Sequence, residues 1–173
     1  VWWRCVKGHE WQALVSSRSV GAGCPFCAGL FASEENNLEI LNPVLSKQWH
    51  PVKNGKLTPK HVLPYSCKKV WWLCAKGHEW VAAIKARTKG NGCPGCSGRT
   101  ATKENNLQVA NPKLAKEWHP TKNGDLTPKD ILPGSHKKRW WKCANGHEWQ
   151  TFVYSRNQGA GCRYCNRQKR LSA

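Results

Sequence analysis

The stretch that decides the fold runs from Trp71 to Cys96 and reads WWLCAKGHEWVAAIKARTKGNGCPGC. It sets Cys74 four residues before His78, and Cys93 three residues before Cys96. Thiolate and imidazole are ligands that zinc prefers, and two close pairs of such groups can supply the four corners of a tetrahedral site. The stretch therefore predicts one zinc ion held by four side chains.

The same spacing occurs three times, at intervals of 69 residues. Residues 33–101 and 102–170 are identical at 36 of 69 positions, so the unit is duplicated rather than similar by chance. We expect three structural zinc ions as cofactors. Their predicted ligands are Cys5, His9, Cys24 and Cys27; Cys74, His78, Cys93 and Cys96; and Cys143, His147, Cys162 and Cys165.

The repeat also predicts the domain organisation. Residues 1–32 form zinc module 1, which corresponds to the late part of a repeat. Residues 33–101 form repeat 2 with its zinc module at 70–98, and residues 102–173 form repeat 3 with its zinc module at 139–167. Because the chain opens on Val1 inside a repeat, we expect it to be a fragment of a longer array, and a catalytic domain can lie outside it.

Other interpretations of the cysteines fit less well. Disulfides would leave the repeated histidines unexplained, and four protein ligands leave no open position for catalysis at the metal. The helical zinc protease motif needs a second His four residues after the first, where this chain has Ala13, Ala82 and Thr151. No acid/base pair or nucleophile set is evident, so we expect no enzymatic activity in this stretch.

The sequence has neither a secretory signal pattern nor an apolar run long enough for a membrane span. A dense, regular set of cysteines in a reducing environment is typical of metal ligation. We therefore expect an intracellular protein from a reducing compartment, without a membrane partner.

Capping residues predict short helices in the first half of each repeat. An Asn before Pro is typical of a helix start, which predicts helices at Pro43–Trp49 and Pro112–Trp118. A Thr before Pro predicts two shorter helices, beginning at Pro59 and Pro128. Alternating apolar residues predict strands at 70–74 and 79–85, and we expect most of the eleven Trp to be buried.

Two further repeated positions have simple expectations. His50 and His119 recur in Trp-His-Pro without a paired ligand, so we expect hydrogen-bonded structural histidines. Cys67 lies outside the ligand pattern, and its equivalent in repeat 3 is His136. We expect an ordinary thiol there.

The run from Trp71 through Gly77-His78-Glu79-Trp80 to Gly92-Cys93-Pro94-Gly95-Cys96-Ser97-Gly98 resembles the probable zinc-ribbon, or treble-clef zinc-finger, repeat family. Members occur in tandem arrays, in some cases beside a nuclease-like domain. The resemblance implies small α+β zinc-stabilised repeats: three treble-clef-like modules, each with a knuckle at Cys-x3-His, a β-hairpin and a short helix, joined by short-helix segments. Repeat 3 departs from the pattern, with Arg163 for the usual Pro and Arg167 for the Gly after the last Cys.

The charge of the chain points to a polyanionic partner. Lys and Arg number 28 against 10 Asp and Glu, giving a formal net charge of +18. Three thiolates and a neutral His leave each zinc site at −1, so three sites lower the charge from +18 to +15. This excess predicts nucleic acid as the partner, with double-stranded DNA favoured over RNA. A zinc-stabilised scaffold for protein partners is the alternative, and a fused or partner nuclease can lie outside the fragment.

Two sets of residues are candidate nucleic-acid contacts. The first is a repeated Arg between the two ligand pairs, with varied polar neighbours that suit phosphate and base-edge contact: Arg18, Arg87, Arg156, Lys85, Lys89, Asn157 and Gln158. A salt bridge from that Arg to the repeated Glu10, Glu79 or Glu148 is its structural alternative. The second set precedes the Trp-Trp strands and comprises Lys68, Lys69, Lys137, Lys138 and Arg139.

Overall fold

The computed structural model describes residues 1–171, apart from the side chain at position 169. The chain forms two compact units, Val1–Cys93 and a second that begins at Pro94. This division falls eight residues before the repeat boundary that follows Ala101, so structural units and sequence repeats do not coincide. None of the helices in the described residues has the length and apolar character needed to cross a lipid bilayer.

Each zinc module is built on a two-stranded antiparallel hairpin. The strands are β1 (Trp2–Arg4) with β2 (Glu10–Gln12), β3 (Lys69–Leu73) with β4 (Glu79–Ala83), and β5 (Lys138–Lys142) with β6 (Glu148–Phe152). The register places the second Trp of each Trp-Trp pair opposite the Trp of His-Glu-Trp, as in Trp72 opposite Trp80. Side chains of a strand alternate between its faces. Trp72 and Trp141 are therefore fully buried, whereas Trp2 and Trp71 are exposed.

A short helix follows every hairpin: α1 (Val15–Ser19), α4 (Ile84–Thr88) and α7 (Val153–Asn157). The predicted strand through Lys85 is therefore wrong beyond Ala83. Ile84 is fully buried as the first residue of α4, so the alternation of Trp80, Ala82 and Ile84 continues past the end of the strand. Periodicity alone could not locate the transition.

The first half of each full repeat contributes two capped helical turns and a 3-10 turn. Repeat 2 has α2 (Leu38–Leu41), α3 (Pro43–Ser46) and a 3-10 turn at Pro59–His61; repeat 3 has α5 (Leu107–Ala110), α6 (Pro112–Ala115) and a 3-10 turn at Pro128–Asp130. The predicted cap is confirmed, since the side chain of Asn42 accepts a hydrogen bond from the Leu45 amide.

The helix that begins at Pro43 ends at Ser46 instead of reaching Trp49. Trp49 forms a bridge with Trp72, and their rings meet edge to face at 5.4 Å. Trp118 and Trp141 repeat this contact at 5.3 Å. The first half of the repeat therefore packs on its hairpin through this Trp.

Two hydrophobic cores result, one in each unit. The core of repeat 2 contains Leu38, Leu45, Val62, Val70, Trp72 and Ile84, and that of repeat 3 contains Leu107, Leu114, Ile131, Trp141, Trp149 and Val153. Module 1 differs: Val15 stands where Ile84 and Val153 stand, yet it is 59% exposed while they are fully buried.

The segments after the second cysteine pair differ among the modules. Residues 25–30 and 94–99 form turns that close with Gly29 and Gly98 at φ +68°. This backbone conformation suits glycine. Repeat 3 has Arg167 at the equivalent position, and there the chain continues as α8 (Arg163–Leu171). The two Arg departures noted in the sequence thus convert a turn into a helix.

Candidate metal centres and basic surface

Three clusters of one His and three Cys lie in the structure, and they are the twelve predicted ligands. Within each cluster the ligand atoms all lie within 4.8 Å of one another. The Cys-x3-His pair occupies the turn of the hairpin, and the Cys-x2-Cys pair follows the short helix. The two ligand pairs of each module, although separated in sequence, therefore converge because the hairpin and the helix fold back on each other.

The distances between ligand atoms test whether zinc fits. For Zn–S near 2.3 Å and Zn–N near 2.0–2.1 Å, the edges of a tetrahedron are about 3.8 Å between sulfurs and about 3.6 Å between sulfur and nitrogen. The Sγ atoms of Cys5 and Cys27 are 3.7 Å apart, and each lies 3.4 Å from Nδ1 of His9. Cys143 and Cys165 are 3.9 Å apart, and Nδ1 of His78 is 3.6 Å from the sulfurs of Cys74 and Cys93. The donor set and its spacing fit tetrahedral zinc.

The backbone of the hairpin turn holds the first ligand pair. In module 1 the amide of Gly8 donates to the Cys5 carbonyl at 2.9 Å, and the amide of Cys5 donates to the His9 carbonyl at 3.1 Å. Gly8 has a φ of +84°, which a residue with a Cβ rarely adopts. Gly77 and Gly146 repeat this geometry with φ of +78° and +79°. This is the predicted knuckle.

The thiols of one cluster do not titrate alike. Burial raises the pKa of Cys5, but hydrogen bonds from the Lys7 and His9 backbone and from Cys27 outweigh it and lower this pKa to about 6. Burial and the neighbouring Cys24 and Cys5 raise the pKa of Cys27 to about 11. This cluster therefore stabilises one thiolate readily but opposes the ionisation of a second thiol. A bound divalent cation removes this opposition.

The sites are structural in character. Each offers four protein ligands and hence no open coordination position, and Cys24, Cys93 and Cys162 are buried. The sequence profile of the family described as "Probable Treble clef zinc finger domain" matches residues 1–30, 45–99 and 114–168. The chain belongs to this treble-clef zinc-finger family. No match was found among curated proteins.

Family and geometry together confirm the predicted fold class and the three structural zinc ions. The treble-clef elements are present in each module as knuckle, hairpin and a turn or helix after the second cysteine pair. Cys67 is exposed and lies outside the three clusters, as expected.

In the two full repeats the repeated Arg lies inside the protein, which corrects its predicted contact with phosphate there. The guanidinium of Arg87 sits over the rings of Trp72 and Trp80, with its Cζ 5.3 and 5.1 Å from their centroids. Its nitrogens donate to the Asn91 carbonyl and to the Gln48 side chain, and the residue is 7% exposed. A phosphate cannot reach it.

Arg156 repeats this arrangement with an ion pair. It lies over Trp141 and Trp149, donates to the Ala160 carbonyl and pairs with Glu117. Arg18, over Trp3 and Trp11 in module 1, is half-buried. The alternative, a salt bridge from the repeated Arg to the Glu that follows the zinc-ligating His, is also wrong for the two full repeats. Gln48 binds Arg87 instead, and Glu117 binds Arg156.

The Glu after each zinc-ligating His has another partner. In repeat 2, Nδ1 of His50 accepts from the amides of Val52 and Lys53, so its Nε2 carries the proton and donates to Glu79 at 2.9 Å. Hydrogen bonds from Lys53 and His50 lower the pKa of Glu79. In repeat 3 a hydrogen bond from Lys122 and the proximity of His119, whose Nε2 lies 3.2 Å from the carboxylate, lower the pKa of Glu148 to about 2. His50 and His119 are thus structural, as predicted. The role of the Glu was missed, although its repetition after each ligand was a signal.

The other predicted contact residues, apart from Arg139, lie at the surface. Lys68, Lys69, Lys85 and Lys89 are exposed in repeat 2, and Lys137, Lys138, Asn157 and Gln158 are exposed in repeat 3. Lys138 also covers the ring of Phe152, and Asn157 accepts a hydrogen bond from Asn111. Arg139 is half-buried and donates to the Lys138 carbonyl.

Backbone hydrogen bonds bring the two basic sets together within each repeat. The amide of Ile84 donates to the Lys68 carbonyl at 3.1 Å, and that of Lys85 donates to the Ser66 carbonyl at 2.9 Å. In repeat 3 the amides of Val153 and Tyr154 make the same bonds to Lys137 and Ser135. The segment before each hairpin therefore runs beside the helix after it. We call this surface the basic flank, formed by Lys68, Lys69, Lys85 and Lys89 in repeat 2 and by Lys137, Lys138, Asn157 and Gln158 in repeat 3.

Proposed function

We propose that this zinc-finger chain binds nucleic acid through the basic flanks of its repeats, with double-stranded DNA preferred over RNA. The observation that carries the proposal is the backbone pairing of the segment of Lys68 and Lys69 with the start of α4, which brings these exposed lysines close to the exposed Lys85. Clustered cations release counterions when they neutralise phosphates, and this release drives binding.

The distribution of carboxylates supports the same conclusion. Glu79 is engaged by His50 and Lys53, Glu148 by His119 and Lys122, and Glu117 by Arg156. The acidic groups of the hairpins therefore compensate cations of the turn regions and of the core. The net positive charge of the chain is left to surfaces such as the basic flank.

The preference for a duplex rests on the tryptophans and on the flank helices. Most indoles are packed in the cores, where they are not available as a general platform for single strands. Lys85 in α4 and Lys89 just after it correspond to Tyr154 in α7 and Gln158 just after that helix. Residues that vary on a common scaffold suit contacts with base edges, while the flank lysines contact phosphates.

A binding titration across several salt concentrations tests the proposal. Zinc-loaded protein is titrated with duplex DNA, single-stranded DNA and RNA, and we expect the tightest binding to the duplex with a steep fall in affinity as salt rises. The double variant Lys69→Gln, Lys85→Gln should reduce the slope of log affinity against log salt by about 0.9 for each phosphate that the variant no longer neutralises.

Lys56→Gln removes an exposed charge from the Asn-Gly turn, which lies outside the flank segments in sequence, and serves as the control. Its salt slope should stay near that of the parent protein. If affinity at low salt is absent for duplex DNA, single-stranded DNA and RNA alike, nucleic acid is not the partner, and the scaffold for protein partners becomes the better account of the zinc modules.

A further inference from the structure

The first unit contains an open groove of about 810 Å³ that none of the contacts described above uses. One wall is the turn that follows Cys27, and the other is the segment between the 3-10 turn of repeat 2 and β3. Phe31 and Tyr65 line it and are 55% and 71% exposed. Two large aromatic side chains thus face solvent in a concave site, which we call the aromatic groove.

One wall of the aromatic groove is anchored on a zinc ligand. The ring of Phe26 stacks on His9 at 5.2 Å, and Phe31 meets Phe26 edge to face at 5.6 Å. Metal binding fixes His9, which positions Phe26 and through it Phe31. A wall held in this way loses little conformational freedom when a ligand packs on it.

The charge around the aromatic groove is positive. Lys60, His61 and Lys68 line it, and none of the described lining residues is acidic. Lys60 lies 3.6 Å from Glu39, whereas Lys68 also belongs to the basic flank. The groove is therefore continuous with the surface proposed to contact phosphates.

Repeat 3 supplies an internal comparison. Its equivalent groove, also of about 810 Å³, is lined by residues 98–101 and 130–137. Thr100 and Gly134 stand there in place of Phe31 and Tyr65, and Gly95 replaces Phe26. The concavity is a property of the repeat, and the aromatic lining is particular to the first groove.

We propose that the aromatic groove holds one unpaired nucleobase, stacked on Phe31 or Tyr65, while Lys68 contacts the adjoining phosphate. This inference rests on the proposed nucleic-acid binding. Every base has a flat π face, so aromatic walls inside a cationic groove suit it without a requirement for base identity. A bulged or mismatched base is the least costly to move out of a duplex.

The test compares a perfect DNA duplex with the same duplex carrying a single bulged 2-aminopurine. We expect tighter binding of the bulged duplex, and a change in 2-aminopurine fluorescence as the base stacks on the protein. Phe31→Thr and Tyr65→Ser should each weaken binding of the bulged duplex about tenfold, with affinity for the perfect duplex unchanged. Thr100→Ala, at the equivalent position of the second groove, should alter neither affinity.

The outcomes separate the two proposals. Salt-dependent binding of the perfect duplex, without preference for the bulge, overturns the groove proposal alone. A bulge preference that survives both substitutions also overturns it. Absence of binding to either duplex overturns both proposals. Since Phe31 and Tyr65 are exposed, zinc content and thermal unfolding of the variants should match the parent.

Discussion

At the scale of single residues, Arg87 links three parts of repeat 2. Its guanidinium packs between the indoles of Trp72 and Trp80 and binds Gln48 and the Asn91 carbonyl. Arg87→Ala leaves those two polar groups without their partner and opens a cavity beside Trp72. We expect the free energy of unfolding of the zinc-loaded protein to fall by about 1–3 kcal/mol, measured by denaturant unfolding.

Arg87→Lys tests whether the positive charge of residue 87 or the planar shape of its guanidinium stabilises the repeat. Lysine keeps the positive charge but lacks the planar fork that stacks and donates in several directions, so it should restore less than half of the stability. Lys89→Ala, at the exposed residue that follows the last turn of the same helix, should leave stability within about 0.5 kcal/mol of the parent. Full rescue by lysine would mean that the stacked geometry contributes little.

The sequence could not assign this Arg correctly, and the reason is physical. An Arg repeated at the same position of each copy suits a phosphate contact and an internal stack equally well. The distinction depends on Gln48 and Glu117, which lie 39 residues away in the chain and approach only after folding. The zinc ligands could be assigned from the sequence, because the spacing of Cys and His alone predicts a tetrahedral metal site.

At the scale of elements, local sequence signals predicted where helices and strands begin better than where they end. The Asn-Pro caps located the start of α3 and α6, but α3 ends early because Trp49 pairs with Trp72. The strand β4 was predicted too long since burial continues into α4 at Ile84. α2 and α5 were missed, although Asn37 and Asn106 carry the same capping chemistry.

Asn37 offers a test of this capping. It is 5% exposed; its Oδ1 accepts from the Ile40 amide at 3.1 Å, and its Nδ2 donates to the Ser33 carbonyl at 2.7 Å. Asn37→Ala removes both bonds, so we expect the unfolding free energy to fall by about 1–2 kcal/mol in denaturant unfolding. Asn37→Asp keeps the acceptor but not the donor, and should fall between the parent and Ala. If Asp and Ala were equally destabilised, the tether to Ser33 would be the whole effect.

At the scale of the whole molecule, the three zinc modules have the same kinds of zinc ligand but differ in how far the apolar side chains beside them are buried. Ile84 and Val153 are fully buried within the cores of repeats 2 and 3, while Val15 of module 1 is 59% exposed. Because Val15 is exposed, we expect module 1 to depend on its metal for a larger share of its stability than the other two modules do.

Chelation should reveal this difference as an order of metal release. Under a rising concentration of chelator, we expect Cys5, Cys24 and Cys27 to become open to alkylation before Cys74, Cys93 and Cys96, because local opening precedes release where few apolar contacts oppose it. Mass spectrometry of alkylated peptides measures the order, and the exposed Cys67 reports the intrinsic rate of an unligated thiol. Simultaneous labelling of the two clusters, or labelling of the second cluster first, would show that the hydrophobic core of repeat 2 does not stabilise its zinc site.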